Sequence, residues 1–205
     1  MAVLGMIVTI SNQYGCGALA IARSVAEKLR YALVDEQLPV VVAKRLRTSP
    51  EAVDAAEDSV RNLGERMMTG LERATPEVVM SAPAENFDED CFREVQQAVR
   101  EYAARGNAVI FGRGANLILG RREDVLRVFM HAPKEWRIGH VSASIGVALN
   151  DAAAEIERID RARKGYVRER YGADWGVPEN YDLSLDVARL GAERCAQLIV
   201  TAAGG

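Results

Sequence analysis

Tyr14, Gly15, Cys16, Gly17 and Ala18 stand between the apolar run Met6–Ile10 and a segment in which Ile21, Ala22, Val25 and Leu29 recur at helical spacing. Glycines spaced by one residue at a strand-to-helix junction can turn backbone N–H groups toward a common anion. The following helix end also favours negative charge. A complete phosphate loop, G-x-x-x-x-G-K-[ST], adds a lysine for the phosphates and a hydroxyl for Mg²⁺. With Gly17 as the second glycine, those positions hold Ala18 and Leu19, or Ala20 if the hydroxyl falls one later, and Asn12 stands at the first glycine. The pattern leaves two readings open: a phosphate site without its cation, or a structural glycine turn. Cys16 lies near the helix N-terminus, where a thiol pKa is expected to fall. It reads first as a small residue and second as a reactive thiol.

Cations that could meet a phosphate occur further along. Arg113 sits between Gly112 and Gly114, past an apolar run; it is either a ligand contact or a turn arginine in solvent. Arg137 falls one helical turn after Pro133. A polar segment carries six basic residues, Arg158, Arg161, Arg163, Lys164, Arg168 and Arg170. Such a run is ordinarily a solvated face, and Glu157 four residues before Arg161 supports that. Yet Ile156, Ile159, Arg163 and Tyr166 share one helical stripe, where an apolar residue would be cheaper than Arg163. Asp160, three residues earlier, can orient it, or face an acceptor or a Mg²⁺-bound water. Asp35 ends a short strand-like run and could hold Mg²⁺ through water, bind a nucleoside hydroxyl, or cap the next helix. Trp175 and Tyr181 could stack on a base or pack their loop on the core. His131 and His140 have no carboxylate or cysteine at metal-ligand spacing, so a structural role and no direct metal site are expected.

These residues need a frame. Met6–Ile10, Tyr31–Val34, "NAVIF", "VLRVFMH" and "NYDLSLDV" read as strands. Helical patterns lie between them: one capped by Asp88 with the stripe Cys91, Val95, Ala98, Val99 and Tyr102, one opened by Pro133, one from about Asp151 to Tyr171, and a last from Gly191 to Thr201. Alternation of this kind predicts an α/β fold: a five-stranded parallel sheet flanked by helices, with ligands at the carboxyl ends of the strands. Between Glu36 and Asn86 the chain reads as helices and loops: Ser49-Pro50 opens one helix, "RNLGERMMTGLERA" suggests another, and "TPEVVMSAPAENFD" a long loop.

The bulk numbers are those of one soluble domain. The 205 residues carry 49% hydrophobic and 27% charged side chains and a net charge of −3. That charge argues against a polyanion-binding surface, and no nucleic-acid partner is expected. The apolar start lacks a basic leader and is too short to span a bilayer. Three widely spaced cysteines suggest neither a disulfide framework nor a zinc site, which predicts a reduced, cytoplasmic protein.

"TISNQYGCGALAIARSVAEKLRYALVDEQL" resembles the opening of the cytidylate kinase-like family, whose chains begin with an "ITISRQYGSGG" type of segment. The likeness continues in "VIFGRGANLIL", "VLRVFMHAPKEWRIGHV", "IDRARKGYVRERYGADWG" and "NYDLSLDVARLGAERCAQLI", whereas residues 40–85 match poorly. The resemblance implies a P-loop kinase fold over residues 1–205, with a helical acceptor-lobe insertion at 36–86 and a lid at 134–174. It implies phosphoryl transfer from ATP, with Mg²⁺, to a nucleoside monophosphate, first of all cytidylate. Backbone groups of Tyr14–Ala18 would then cradle the donor phosphates and Arg113 would hold the acceptor phosphate. Arg161 and Arg163, with Arg137 at the lid base, would neutralise the transferred group. Members of this branch typically replace the loop lysine with glycine followed by arginine. Ala18 and Leu19 stand there instead, and histidine stands at 140, near where a basic residue is expected. The alternative is therefore a nucleotide-binding or regulatory protein that keeps the fold without the chemistry; a third is an acceptor that is not a nucleotide.

Overall fold

A computed structural model of the chain describes residues 5–35, 37–53 and 87–204. Strand β1 (Ile7–Asn12) is buried along its whole length, as a continuous apolar run with β-branched members requires. It lies between β3 (Ala108–Phe111) and β4 (Val125–His131). Strands β2 (Ala32–Val34) and β5 (Leu183–Asp186) form the edges, so the order is β2-β3-β1-β4-β5. Every pairing is parallel, with Thr9 opposite both Ile110 and Arg127, and Met130 opposite Leu185. The sheet is the one the sequence predicts. All five carboxyl ends therefore share one edge, from which the loops after β1, β3 and β4 depart.

The helices are α1 (Ala18–Leu29), α2 (Gln37–Leu46), α3 (Phe87–Arg105), α4 (Ala115–Leu119), α5 (Lys134–Ile145), α6 (Leu149–Tyr171), α7 (Val187–Leu190) and α8 (Ala192–Ala202). Helix α3 starts at Phe87, so Asp88 lies in its first turn instead of capping it. Val8, Ile10, Val128 and Met130 of the sheet pack against Ile21 and Val25 of α1 and Ala196 and Ile199 of α8. Burial of each such aliphatic side chain stabilises by about 2 kcal/mol.

The described residues form two compact units. One holds residues 5–35 and 99–204, with the whole sheet. The other holds residues 37–53 and 87–98, where Val42, Ala43, Val53, Cys91 and Val95 make a separate small core. Of the expected insertion, the helix over 61–74 and most of the loop over 75–88 lie outside the described residues. Among the described residues no helix is long and apolar enough to cross a membrane.

One ion pair locks β4 to the start of β5. Arg127, 7% exposed inside the sheet, meets Asp182 through Nε–Oδ2 at 3.1 Å and Nη2–Oδ1 at 2.7 Å. The backbones add Arg127 N–H to Asp182 Oδ2 at 2.9 Å and Asp182 N–H to the Arg127 carbonyl at 2.7 Å. Tyr181 therefore precedes the strand instead of alternating within it. Hydrogen bonds from Arg127 hold the Asp182 carboxyl below the usual carboxylate range. A carboxyl with a depressed folded-state pKa contributes stability above its unfolded pKa, near 4, and loses it as pH falls through the lower folded value. Asp182→Asn should cost about 2 kcal/mol at pH 7, discounted for the partial exposure of the aspartate. The gap from wild type in denaturant titrations should close below about pH 4. A gap that persists at pH 2.5 would exclude the charge pairing as its cause.

Candidate functional site

The loop after β1 is strapped down on both sides. The Gln13 N–H donates to the Met130 carbonyl at 3.0 Å, and Gln13 Oε1 accepts from the Ala132 N–H at 3.3 Å. The Tyr14 N–H donates to Asp160 Oδ1 at 2.8 Å. Arg137 Nη1 donates to the Tyr14 carbonyl at 2.9 Å and to Asp160 Oδ2 at 2.6 Å, while its Nε donates to the Ala132 carbonyl at 3.1 Å. One ion pair thus grips both backbone groups of Tyr14. Gly15 lies at φ +82°, and a Cβ there would stand 2.6 Å from Val141 Cγ2, so α5 packs directly on loop backbone. Helix α1 follows, and its first N–H groups have no acceptor within the helix.

The side chains of this junction divide by face. Ala18 is 2% exposed and belongs to the core under α1, so the position aligned with the lysine points into the sheet packing. Leu19 and Ala20 line a cavity of about 330 Å³ between the loop, Phe111, α5 and Arg163 of α6, which Ala18 also borders. Cys16 packs as the small residue the sequence suggested, but its pKa moves opposite to the expectation. It is fully buried, its Sγ 3.7 Å from the Met130 carbonyl, and burial pushes the thiol up to about 11. The Ala18 amide and Asn12 pull the other way and are outweighed. The thiol is a packing group.

Arg163 reaches inward, as its stripe position suggested. Its Nη1 donates to the Asn12 carbonyl at 2.7 Å, and its guanidinium stands 5.9 Å from the Tyr14 ring. Arg161 and Arg158 are exposed, and Arg158 pairs with Glu155 at 2.8 Å. Glu157 pairs with Lys134 of α5. Arg137 is 5% exposed and holds the loop instead of facing the cavity. Asp160 has both oxygens engaged, by Tyr14 and by Arg137.

The loop after β3 carries Gly112, Arg113 and Gly114 at φ +72°, +55° and +68°. For arginine this left-handed conformation costs about 1–2 kcal/mol. Tyr171, at the end of α6, sits on it. Its phenol donates to the Arg113 carbonyl at 3.4 Å, and a Cβ on Gly114 would lie 2.7 Å from its ring. Gly114 is small for Tyr171 and not for a ligand. Burial pushes the Tyr171 phenol well above the usual tyrosine range. Asp35 follows β2 on the same edge, with β3 between it and the β1 loop. Trp175 and Tyr181 pack on Phe129, at ring separations of 5.6 and 4.8 Å. His131 also lies against Phe129, whereas His140 lines the loop cavity.

Neither Leu19 nor Ala20 offers the hydroxyl that a loop-bound Mg²⁺ takes, and both Asp160 oxygens are occupied. Among the described residues no group of three or more His, Cys, Asp or Glu is placed to hold a metal. These residues do not fit direct Mg²⁺ ligation at the loop.

A sequence model of the cytidylate kinase-like family matches residues 7–189, from β1 through α7. The chain belongs to this family. The chain is similar to the cytidylate kinase of Methanopyrus kandleri, at 27% identity over 104 residues. That match covers 47% of this chain and 54% of the relative. The cytidylate kinase of Ignicoccus hospitalis matches at 29% over 105 residues, 51% and 60% of the two chains. The chain thus spans little more than half the length of these relatives. Among solved structures, an uncharacterized protein from Eubacterium ventriosum superposes with TM-score 0.69 at 17% identity, covering 98% and 99% of the two chains. The shikimate kinase of Bacteroides thetaiotaomicron superposes with TM-score 0.50 at 14% identity, covering 96% and 97%. The fold is that of the P-loop kinases. Within the family frame, the feature that composition hid is the apolar lining at Leu19 and Ala20. The missed residues are Gln13 and Tyr171, whose partners lie 119 and 58 positions away.

Proposed function

We propose that this protein is a nucleoside-monophosphate kinase, transferring the terminal phosphoryl group of ATP to a cytidylate-type acceptor. The observation that carries the reading is the cavity at the carboxyl edge of the sheet. There the loop backbone, the start of α1 and Arg163 meet, inside the span that matches the family. N–H groups of Gly15–Ala18 would receive the donor phosphates. The Tyr14 N–H is already given to Asp160, which removes it from the cradle and makes Tyr14 the anchor. Arg113 would hold the acceptor phosphate. Arg163, with Arg161 closing from solvent, would meet the charge that builds on the transferred group, which is where kinases gain most of their rate. Arg137 and Asp160 act through Tyr14 as positioning residues. In this reading residues 36–86 form the acceptor lobe and 134–174 the lid. The three buried free thiols suit a reducing cytoplasm.

The apolar face of Leu19 and Ala20 favours a second reading, in which nucleotide binds and turnover is lost. Calorimetry with ATP and with CMP, followed by a coupled phosphotransfer assay, separates the two. Binding of both with turnover supports the kinase. Binding without turnover across the common nucleoside monophosphates leaves the second reading, and binding of neither sinks both. Arg113→Gly tests the acceptor contact. Relief of the left-handed strain should leave the protein as stable as wild type or up to about 1 kcal/mol more so. Loss of a charged phosphate contact should weaken CMP binding about tenfold or more. Unchanged CMP affinity removes Arg113 from the site.

A further inference from the structure

We infer that Asn116, held by Ser11, is a positioning residue that fixes the Arg113 loop relative to Arg163, given the reading of Arg113 as the acceptor contact. Gly112, Arg113 and Gly114 are consecutive left-handed residues. Glycine adopts that conformation freely, whereas arginine keeps it only where its surroundings impose it. The helix that follows cannot impose it alone. Helix α4 has five residues, and a helix that short does not hold itself together in water. Its N-cap is Gly114, which offers no side chain to the first turn. The restraints come from outside. The Gly112 N–H donates to the Ile10 carbonyl of β1 at 2.8 Å, and Tyr171 holds the Arg113 carbonyl. Asn116, two residues past Gly114, supplies the next one.

Asn116 is 3% exposed and joins separate parts of the chain. Its Oδ1 accepts from the Ser11 hydroxyl of β1 at 3.2 Å, and its Nδ2 donates to the Asn180 carbonyl at 3.4 Å. Asn180 in turn donates to the Asp174 carbonyl at 2.7 Å, which ties in the connection leaving α6. The Tyr181 phenol, packed on Phe129, meets both Ser11 and Asn116. Ser11 is itself buried in the central strand. A polar pair buried there holds one arrangement, where apolar side chains could slide past one another. Its place on the strand gives the pair its use. Ser11 precedes Asn12, whose carbonyl takes Arg163. Consecutive residues of β1 therefore hold the Arg113 loop, through Asn116, and Arg163 directly. In the proposed reaction one arginine meets the acceptor phosphate and the other the transferred group, and transfer depends on their separation. Without Asn116 the loop would populate arrangements in which Arg113 misses the acceptor. Acceptor affinity would then fall with the fraction that remains competent.

The test is calorimetric titration of the full chain with CMP, and separately with ATP, for wild type, Asn116→Ala, Arg113→Gly and the double variant. Asn116→Ala should bind CMP about fivefold more weakly, the scale of one neutral hydrogen bond, with ATP affinity within about twofold of wild type. In the Arg113→Gly background the same change should alter CMP affinity by a factor of about one, because Arg113 is the group that Asn116 positions. Ser11→Ala removes one hydroxyl and leaves the asparagine. It should repeat the pattern at about threefold, and it decides the question if Asn116→Ala does not fold. A CMP loss that is equal in both backgrounds, or that ATP shares, is support of the fold alone and overturns the inference. Unchanged CMP affinity in Asn116→Ala overturns it as well, leaving the kinase reading intact. If wild type binds no CMP, or Arg113→Gly binds it as wild type does, the acceptor reading falls and the inference falls with it.

Discussion

Leu19→Arg should raise phosphoryl transfer from ATP about a hundredfold in kcat/KM, the scale at which a single group facing developing charge acts in other enzymes. Leu19 lines the cavity with Gly17, at the position where the resemblance drawn from the sequence implies arginine. The arginine stem can cover the apolar surface that leucine now covers while its head enters the cavity. A cation in the first turn of α1 opposes the helix dipole, so a stability loss of up to about 1 kcal/mol should accompany the gain. The neighbouring substitution behaves oppositely. Ala18→Lys would drive an ammonium into packing where alanine is 2% exposed, and should unfold the protein or cost several kcal/mol. Coupled-assay kinetics and thermal melts on the two variants give the contrast. Leu19→Arg with wild-type kinetics would show that the missing loop cation is not what limits this chain. A folded, active Ala18→Lys would show that the loop register is wrong.

That contrast was half visible in the sequence. Ala18 stands three, four and seven residues before Ile21, Ala22 and Val25, so helical periodicity already places it on the core stripe and leaves Leu19 and Ala20 off it. The sheet was legible for a similar reason. Continuous β-branched runs alternating with helical stripes admit few arrangements other than a parallel sheet, and the carboxyl edge follows. Arg163 was also legible, because a charged residue on an apolar stripe must find something to bind. What it binds, the Asn12 carbonyl, was not, since backbone acceptors leave no mark on a sequence. The same limit hid the roles of Arg137 and Asp160. Both were singled out for their charge and expected to face a ligand. Both are instead consumed by Tyr14, which is 123 and 146 positions away. For Cys16 the reading as a small residue stands and the expected fall in its pKa does not, because the pull of a helix N-terminus can be read from spacing, while the burial that overrides it depends on Met130 and the core beneath.

Breaking the Arg137–Asp160 pair should damage both the stability of the protein and the geometry of the loop. Arg137 is 5% exposed, so Asp160→Ala strands a guanidinium in the protein interior, and Arg137→Ala strands a carboxylate. Each should cost about 3 kcal/mol in denaturant unfolding at neutral pH, where both groups are charged. The double variant leaves no stranded charge and should cost clearly less than the sum, with a coupling of about 2 kcal/mol. Stability alone would describe any buried ion pair. The second consequence is specific to the loop. Asp160 holds the Tyr14 N–H and Arg137 holds the Tyr14 carbonyl, so each change frees one side of the residue that sets where Gly15 to Gly17 lie and removes the partner that orients the group on the other side. Amide exchange at Tyr14 should accelerate in each single variant and in the double, and ATP affinity should fall in all three, because the double variant recovers stability without recovering the anchor. A double variant that regains both stability and ATP affinity would show that the pair only balances charge. If ATP affinity stays lost while stability returns, the pair is what shapes the loop, and the phosphate site of this protein is built as much by α5 and α6 as by the glycines of the loop itself.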